Sequence, residues 1–268
     1  MVIDWSVLDK LDDVDSDELS GFIVARDLCR ASFDQDCAIL NSCEPLFFRA
    51  IENGEQAEWV SHLATQFMLW RENYPPTLPA ILAITCKNLE IDTSHELFPI
   101  ALTACILGEV YNGNAFHNVD HFREVLTIVL RFCVTHNQIT FDEDNKFDTA
   151  DILLLIIAAV LHDFKHDGTN NGVGDDHIPS RLEQQAFDKS RPFLESMGIA
   201  DDYLSIIKSL IIATDASGHE NPATIVRQIA NYQNNKTPVS VNLGYENFTN
   251  NPKLTTMALI LCEADIVP

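Results

Sequence analysis

Asp151-Ile152-Leu153-Leu154-Leu155-Ile156-Ile157-Ala158-Ala159-Val160-Leu161-His162-Asp163 is the stretch whose reading decides the fold. From Ile152 to Leu161 no side chain is polar. Such a run is too short to span a bilayer, which takes about 20 apolar residues. It shows no alternation of period two, so it reads as a helix over 151–163 that is apolar on every face and therefore central. Asp148 or Thr149 is placed to cap its start. The run then ends abruptly in an imidazole and a carboxylate. Charge beside a core is costly unless it is paired or bound to a metal. Nitrogen and oxygen donors side by side suit zinc, manganese, iron or magnesium. His166 follows His162 by four residues and is expected to face the same cavity.

Two other segments offer donors of the same kind. His117 and His121 stand four apart, with Asn118 and Glu124 beside them. A helix over about 115–135 puts both imidazoles on one face. Near the end of the sequence an apolar run, Met257 to Leu261, leads into Glu263-Ala264-Asp265. Asp265 is a carboxylate able to close a four-donor shell.

The apolar residues recur at helical spacing almost throughout. Val7, Leu8 and Leu11 suggest a short amphipathic helix, and Ser16 is placed to cap a helix that Asp17 and Glu18 favour. Helices are predicted near 17–30, 34–52, 55–72, 79–89, 94–111, 115–135, 151–163, from Ser180 onward, 201–214, 221–233 and 252–266. Pro75, Pro76 and Pro79 mark a break at 73–79. Residues 112–114 read as a turn, Phe141 to Asp148 as an acidic loop, and Asp167 to Pro179 as a loop rich in Gly and Asn. Ser180-x-x-Glu183 matches a capping box. Residues 234–251 read as irregular, with a short strand at Val239-Ser240-Val241. The expected fold is all-α, a compact multi-helix bundle, with an N-terminal helical region over 1–110 and a core over 111–268.

The chain has 268 residues, is 46% hydrophobic and carries a formal net charge of -23. That charge repels nucleic acid and anionic lipid, so neither is expected as a partner. A small anionic substrate stays possible, because a bound divalent cation reverses the local field. Seven cysteines show no C-x-x-C pair and read as reduced, mostly buried thiols. With no signal-peptide pattern at the N-terminus, a cytoplasmic protein is expected. His62, His95, His136 and His177 read as surface positions. The sequence leaves the oligomeric state open.

Five segments in order resemble the class I cyclic nucleotide phosphodiesterase catalytic domain, within the wider HD phosphohydrolase superfamily. Phe116-His117-Asn118-Val119-Asp120-His121 with Glu124-Val125 resembles H-N-x-x-H-x-x-D-V. Ala158 to Asn171 resembles A-A-x-x-H-D-x-x-H-P-G-x-N-N, and Ser180-Arg181-Leu182-Glu183 is similar to S-V-L-E. Ala213 to His219 is similar to A-T-D-M-S-K-H, and Ala264-Asp265-Ile266 stands where that family has A-D-L. The resemblance spans Phe116 to Asp265.

What it implies is a two-metal hydrolase of a phosphodiester, foremost a 3′,5′-cyclic nucleotide. His121, His162, Asp163 and Asp265 would hold a first ion, zinc or another transition metal. Asp163 would bridge to a second, magnesium or manganese. A water between the ions would lose a proton and attack phosphorus, and His117 would protonate the departing 3′ oxygen as general acid. Glu183 would orient or charge that imidazole. His166 and Thr214 would support the second ion's water, with Asn118 as a further supporting or phosphate-contacting residue. Asp215 and His219 would serve packing. Two alternatives remain: an HD-type phosphohydrolase of another nucleotide, a monophosphate or alarmone, and a catalytically impaired relative that only binds. The sequence departs from the family at Phe116, Glu124, Lys165, Asp167 and Ala216. It ends soon after Asp265, and it is expected to lack the C-terminal subdomain that carries the family's purine-gripping glutamine and aromatic clamp.

Overall fold

The structure is a computed structural model that describes residues 3–42, 56–72, 75–111, 113–169, 171–173, 176–217, 221–235 and 246–266. After a 3-10 helix at Trp5–Leu11, the described helices are α1 (Leu19–Ser42), α2 (Gln56–Glu72), α3 (Leu78–Asn88), α4 (Phe98–Gly108), α5 (Val119–Ile139), α6 (Thr149–Leu161), α7 (Arg181–Ser196), α8 (Asp201–Ala213), α9 (Pro222–Asn235), α10 (Glu246–Asn250) and α11 (Pro252–Ile266). The fold is an all-α bundle. Its described strands are two residues each, Gly172–Val173 and Asp176–His177, and pair antiparallel with Gly172 opposite His177. They lie inside the segment 167–179 that the sequence assigns to loop. No described helix is long and apolar enough to cross a membrane.

Helix α6 is the axis of the bundle. Every residue from Ile152 to Leu161 is buried, as its uniformly apolar composition requires. It packs against α4, α5, α8 and α11. Its start is held by a reciprocal cap. Asp148 Oδ1 accepts from Asp151 N and Asp151 Oδ2 accepts from Asp148 N, each at 3.0 Å. Lys253 Nζ donates to Asp151 Oδ2 at 2.8 Å, which ties the first turn of α11 to the first turn of α6. One end of α11 is thus anchored so that its other end arrives beside the end of α6.

Several boundaries differ from the sequence reading. The separate helices at 17–30 and 34–52 are one continuous α1 through Ser42. Ala31-Ser32-Phe33 contains no breaker, Phe33 is buried, and Ser32 Oγ bonds Asp36 within the helix at 2.9 Å. Residues 43–52 lie outside the described residues, as do Asn170, His219 and the strand expected at 239–241. The helix expected from 94 begins at Phe98. Before it, Asp92 Oδ1 accepts from Ser94 N and His95 Nδ1 from Leu97 N, so the backbone is spent on turns. Helix α5 begins at Val119 rather than 115 and runs on to Ile139. Asn137 extends it by exchanging two 2.8 Å hydrogen bonds with the backbone of Phe147. A 3-10 turn, Glu143–Asn145, sits in the acidic loop, and α10 falls in the stretch read as irregular.

The described cysteines are unpaired thiols, and five of the six are buried. Burial pushes Cys86 up to about 12 and, with the charge of Asp36, Cys37 up to about 11. Unreactive packing thiols are what that implies.

Helix α4 ends in close contact with α6. A methyl group on Gly108 would sit 2.5 Å from Val160 Cγ1 and 2.7 Å from Leu78 Cδ1. Gly108→Ala is therefore predicted to lower unfolding free energy by about 1–3 kcal/mol through overpacking. Urea denaturation checks this, and an unchanged midpoint would contradict the close approach.

Candidate metal centre

Three helices bring four donors together. His162 stands at the C-cap of α6 and is buried. Its Nδ1 lies 2.9 Å from Ala159 O. A carbonyl only accepts, so Nδ1 carries the proton and Nε2 presents a lone pair. Asp163 follows directly. His121 comes from the first turn of α5, and Asp265 from the last turn of α11.

The distances suit a cation. His121 Nε2 lies 3.3 Å from His162 Nε2, 3.1 Å from Asp265 Oδ1 and 3.5 Å from Asp163 Oδ2. His162 Nε2 lies 3.1 Å from Asp265 Oδ1 and 3.4 Å from Asp163 Oδ2. Ligand bonds of about 2.0–2.2 Å in a tetrahedron separate the donors by roughly 3.3–3.6 Å. These five separations fall within a few tenths of an ångström of that spacing.

Electrostatics point the same way. Burial opposes charge on Asp163, but the His162 charge and hydrogen bonds from three imidazoles hold its carboxyl well below the usual carboxylate range. Asp265 is likewise buried, yet His162 and His121 bring it down to about 2. Burial opposes charge on His121 and His162 too, and the two carboxylates outweigh it and raise both. Protons and a cation therefore compete for the same donors.

A second donor group shares Asp163 and adds His117 and His166. His117 is not on α5, contrary to the expected shared helical face. It precedes the Asn118 cap and is set by an Asn turn: Asn114 Oδ1 accepts from Phe116 N at 2.9 Å and His117 N at 3.1 Å. Its Nδ1 lies 2.5 Å from Asp163 Oδ2. The ring stacks on His166, with centroids 3.8 Å apart and planes 14° apart. Lys165, with φ at +58°, turns the chain so that His166 returns to the cavity. His166 Nδ1 accepts from Gly168 N at 3.0 Å, and burial pushes its pKa down. The neutral ring then carries its proton on Nε2, which makes His166 a donor toward water rather than a direct ligand.

Asn118 Oδ1 takes the backbone N–H of Asp120 and His121, and Nδ2 goes to the carbonyls of Asn114 and Ala115. Its amide is committed to the backbone, where it caps α5 and seats His121, a supporting place among those expected of it. Thr214 is buried at the C-cap of α8, and its hydroxyl donates to Ile211 O at 2.8 Å.

The capping box expected at Ser180 and Glu183 is absent. Ser180 is left-handed, with φ at 54°, and makes no cap. Its N donates to Asp215 Oδ2 at 2.7 Å and its Oγ at 3.2 Å, while Asn171 Oδ1 takes the N–H of Leu182 at 2.8 Å. Buried Asp215 also accepts from Ser217 N at 2.8 Å, which bears out the structural role expected of it. Glu183 is thereby freed from capping. Its buried carboxylate accepts from Asn171 Nδ2 at 3.1 Å, and burial, aided by the charges of Asp215 and Asp163, lifts it to about 7. Asn114 and Asn171 are the functional-site residues that the sequence reading left without a role. The signal available was an Asn three residues before His117 and the Asn pair at 170–171.

Residues 116–173 match the family described as 3′5′-cyclic nucleotide phosphodiesterase. The matched segment is short beside the whole chain. It contains His117, His121, His162, Asp163 and His166, while Glu183, Thr214 and Asp265 lie beyond it. Among solved structures, the chain is similar to the phosphodiesterase domain of the RhoPDE fusion protein from the choanoflagellate Salpingoeca rosetta. The two are 18% identical, with 86% of this chain and 69% of that chain covered, at a TM-score of 0.45.

Because the raised imidazoles hold protons that a cation must displace, metal affinity is predicted to fall as pH drops from about 7.5 to about 5.5, with protons released on binding. Zinc titration calorimetry in buffers of different ionisation enthalpy measures both. A pH-independent affinity would refute this account of the cluster.

Proposed function

We propose that the chain is a metal-dependent phosphodiesterase acting on a 3′,5′-cyclic nucleotide. One observation carries the reading. Asp163 Oδ2 lies within 3.5 Å of three imidazole nitrogens, those of His117, His121 and His162. A single carboxylate oxygen so placed lies between the four-donor set, which would hold one cation, and the His117–His166 side, where a second would be held by Asp163 and water.

The donor set fits such ions. His121, His162, Asp163 and Asp265 would hold zinc or another transition metal. Asp163 would also face a second ion, magnesium or manganese, whose waters His166 and Thr214 would meet. Bound divalent ions supply Lewis acidity toward phosphoryl oxygens and lower the pKa of water toward about 7.

The protein's own groups do the rest. Asp163 holds the His117 ring through Nδ1, which fixes the direction in which Nε2 presents a proton to a leaving 3′ oxygen. Stacking on His166 restrains the plane of that ring. Glu183, buried and near neutrality in its titration, would offset the charge of a protonated His117. The overall charge of -23 does not forbid an anionic substrate, since the local field belongs to the cations. The family that residues 116–173 match supports the cyclic nucleotide.

Two variants separate the roles. His117→Ala is expected to keep its metal and lose about 10²–10⁴-fold in kcat. Asp163→Asn is expected to lose both. Elemental analysis and turnover of cyclic AMP, cyclic GMP, nucleoside monophosphates and an alarmone read these out. Full turnover by His117→Ala, or cleavage of monophosphates alone, would overturn the assignment.

A further inference from the structure

The outer face of α1 carries apolar side chains that the fold leaves uncovered. Val24 is 59% exposed and Leu28 is 66% exposed. With exposed Ala31 and Gln35 they form a stripe at helical spacing. Two cavities, of 480 and 440 Å³, open along this face and share Ala25, Leu28 and Glu109. They are therefore adjoining parts of one groove. From Ser20 to Gln35 it follows α1 for about 22 Å at the usual helical rise. Tyr111, 88% exposed, forms part of its opposite wall.

Acidic side chains outnumber cations among the described residues that line the groove. Asp17, Glu18 and Glu109 line it. The cation among the described lining residues, Lys165, is already bound to Glu18 Oε2 at 2.7 Å. Just before α1 lie Asp12, Asp13 and Asp15. Arg26 answers Asp12 at 2.5 Å, whereas Asp13, Asp15 and Asp17 have no ion pair among the described residues.

We infer that this groove is a docking surface for a basic amphipathic helix of a partner protein. Glu109 is held by Arg123 at 3.1 Å, which leaves Asp13, Asp15 and Asp17 as the acids beside the apolar stripe. A helix with leucine-like anchors three and four apart and Lys or Arg beside them would complement that stripe and those acids. A second copy of the chain is disfavoured, because it would bring the same acids face to face at a net charge of -23 per chain. The groove ends at Lys165, two residues from Asp163, so its occupant would lie next to the turn that returns His166 to the cavity. The inference is independent of the proposed reaction.

The test uses the full chain and a fluorescein-labelled peptide of about 15 residues, made only of leucine and lysine in an amphipathic helical pattern. Fluorescence anisotropy at about 0.15 M salt gives the affinity. Leu28→Arg and Val24→Arg, both at exposed positions that burial does not constrain, are each expected to weaken binding about tenfold or more, the scale of a lost anchor. Ile139→Arg, on exposed apolar surface of α5, is expected to change nothing, and circular dichroism confirms that each variant folds. Three results would overturn the inference. They are equal weakening by Ile139→Arg, equal binding of a scrambled peptide of the same composition, and a wild-type dimer in sedimentation that Leu28→Arg dissociates.

Discussion

The carboxylate of Asp163 sits at the end of a helix buried from Ile152 to Leu161, and the rest of the site is arranged around its charge. A carboxylate taken out of water is costly unless opposite charge and hydrogen bonds surround it. Here three imidazoles approach one of its oxygens. Two belong to a group that also contains Asp265, and the third belongs to a group with His166. The pattern is poorly suited to a neutral core. Two nitrogens, those of His121 and His162, face each other at 3.3 Å, which only a shared proton or a shared cation makes favourable.

Each donor is held by something outside the donor set, and this is what turns a cluster into a site. The backbone of α6 fixes the tautomer of His162. The Asn118 cap seats His121, and the Asn114 turn sets His117. The link from Lys253 to Asp151 registers α11 against α6, so that Asp265 arrives at the correct end. These are short polar contacts on rigid elements, the arrangement that restrains ligand positions most tightly. The N-terminal helices join through the same core: α1 packs on α3 and α4, and α4 packs on α6. Glu183 and Asp215 form a further layer in which Asn171 and Asp215, rather than Ser180, satisfy the start of α7.

The surface and the site follow opposite electrostatic rules. The formal net charge of -23 gives the surface a negative field. At the site, a handful of carboxylates is outnumbered by imidazoles, and cations would complete the reversal. The uncovered stripe on α1 belongs to neither pattern. Apolar side chains there stand in a field that selects a basic neighbour.

Some of this was legible from residue order. A run from Ile152 to Leu161 with no polar side chain has to be a central helix, because no exposed element tolerates it. Donors placed at the ends of apolar segments, His162 and Asp163 on one and Asp265 on another, mark a buried polar centre for the same reason. Helical periodicity established the all-α class. Residue order did not reveal that α1 is continuous, that Ser180 is left-handed, or that His117 lies outside its helix. It also hid the engagement of the Asn118 amide with backbone and the release of Glu183 from capping. Those outcomes depend on which partner reaches each polar group first. Asn114, Asn171 and Asp215 compete for backbone N–H groups that local spacing would have given to other residues, and only the folded chain brings those competitors within hydrogen-bonding distance.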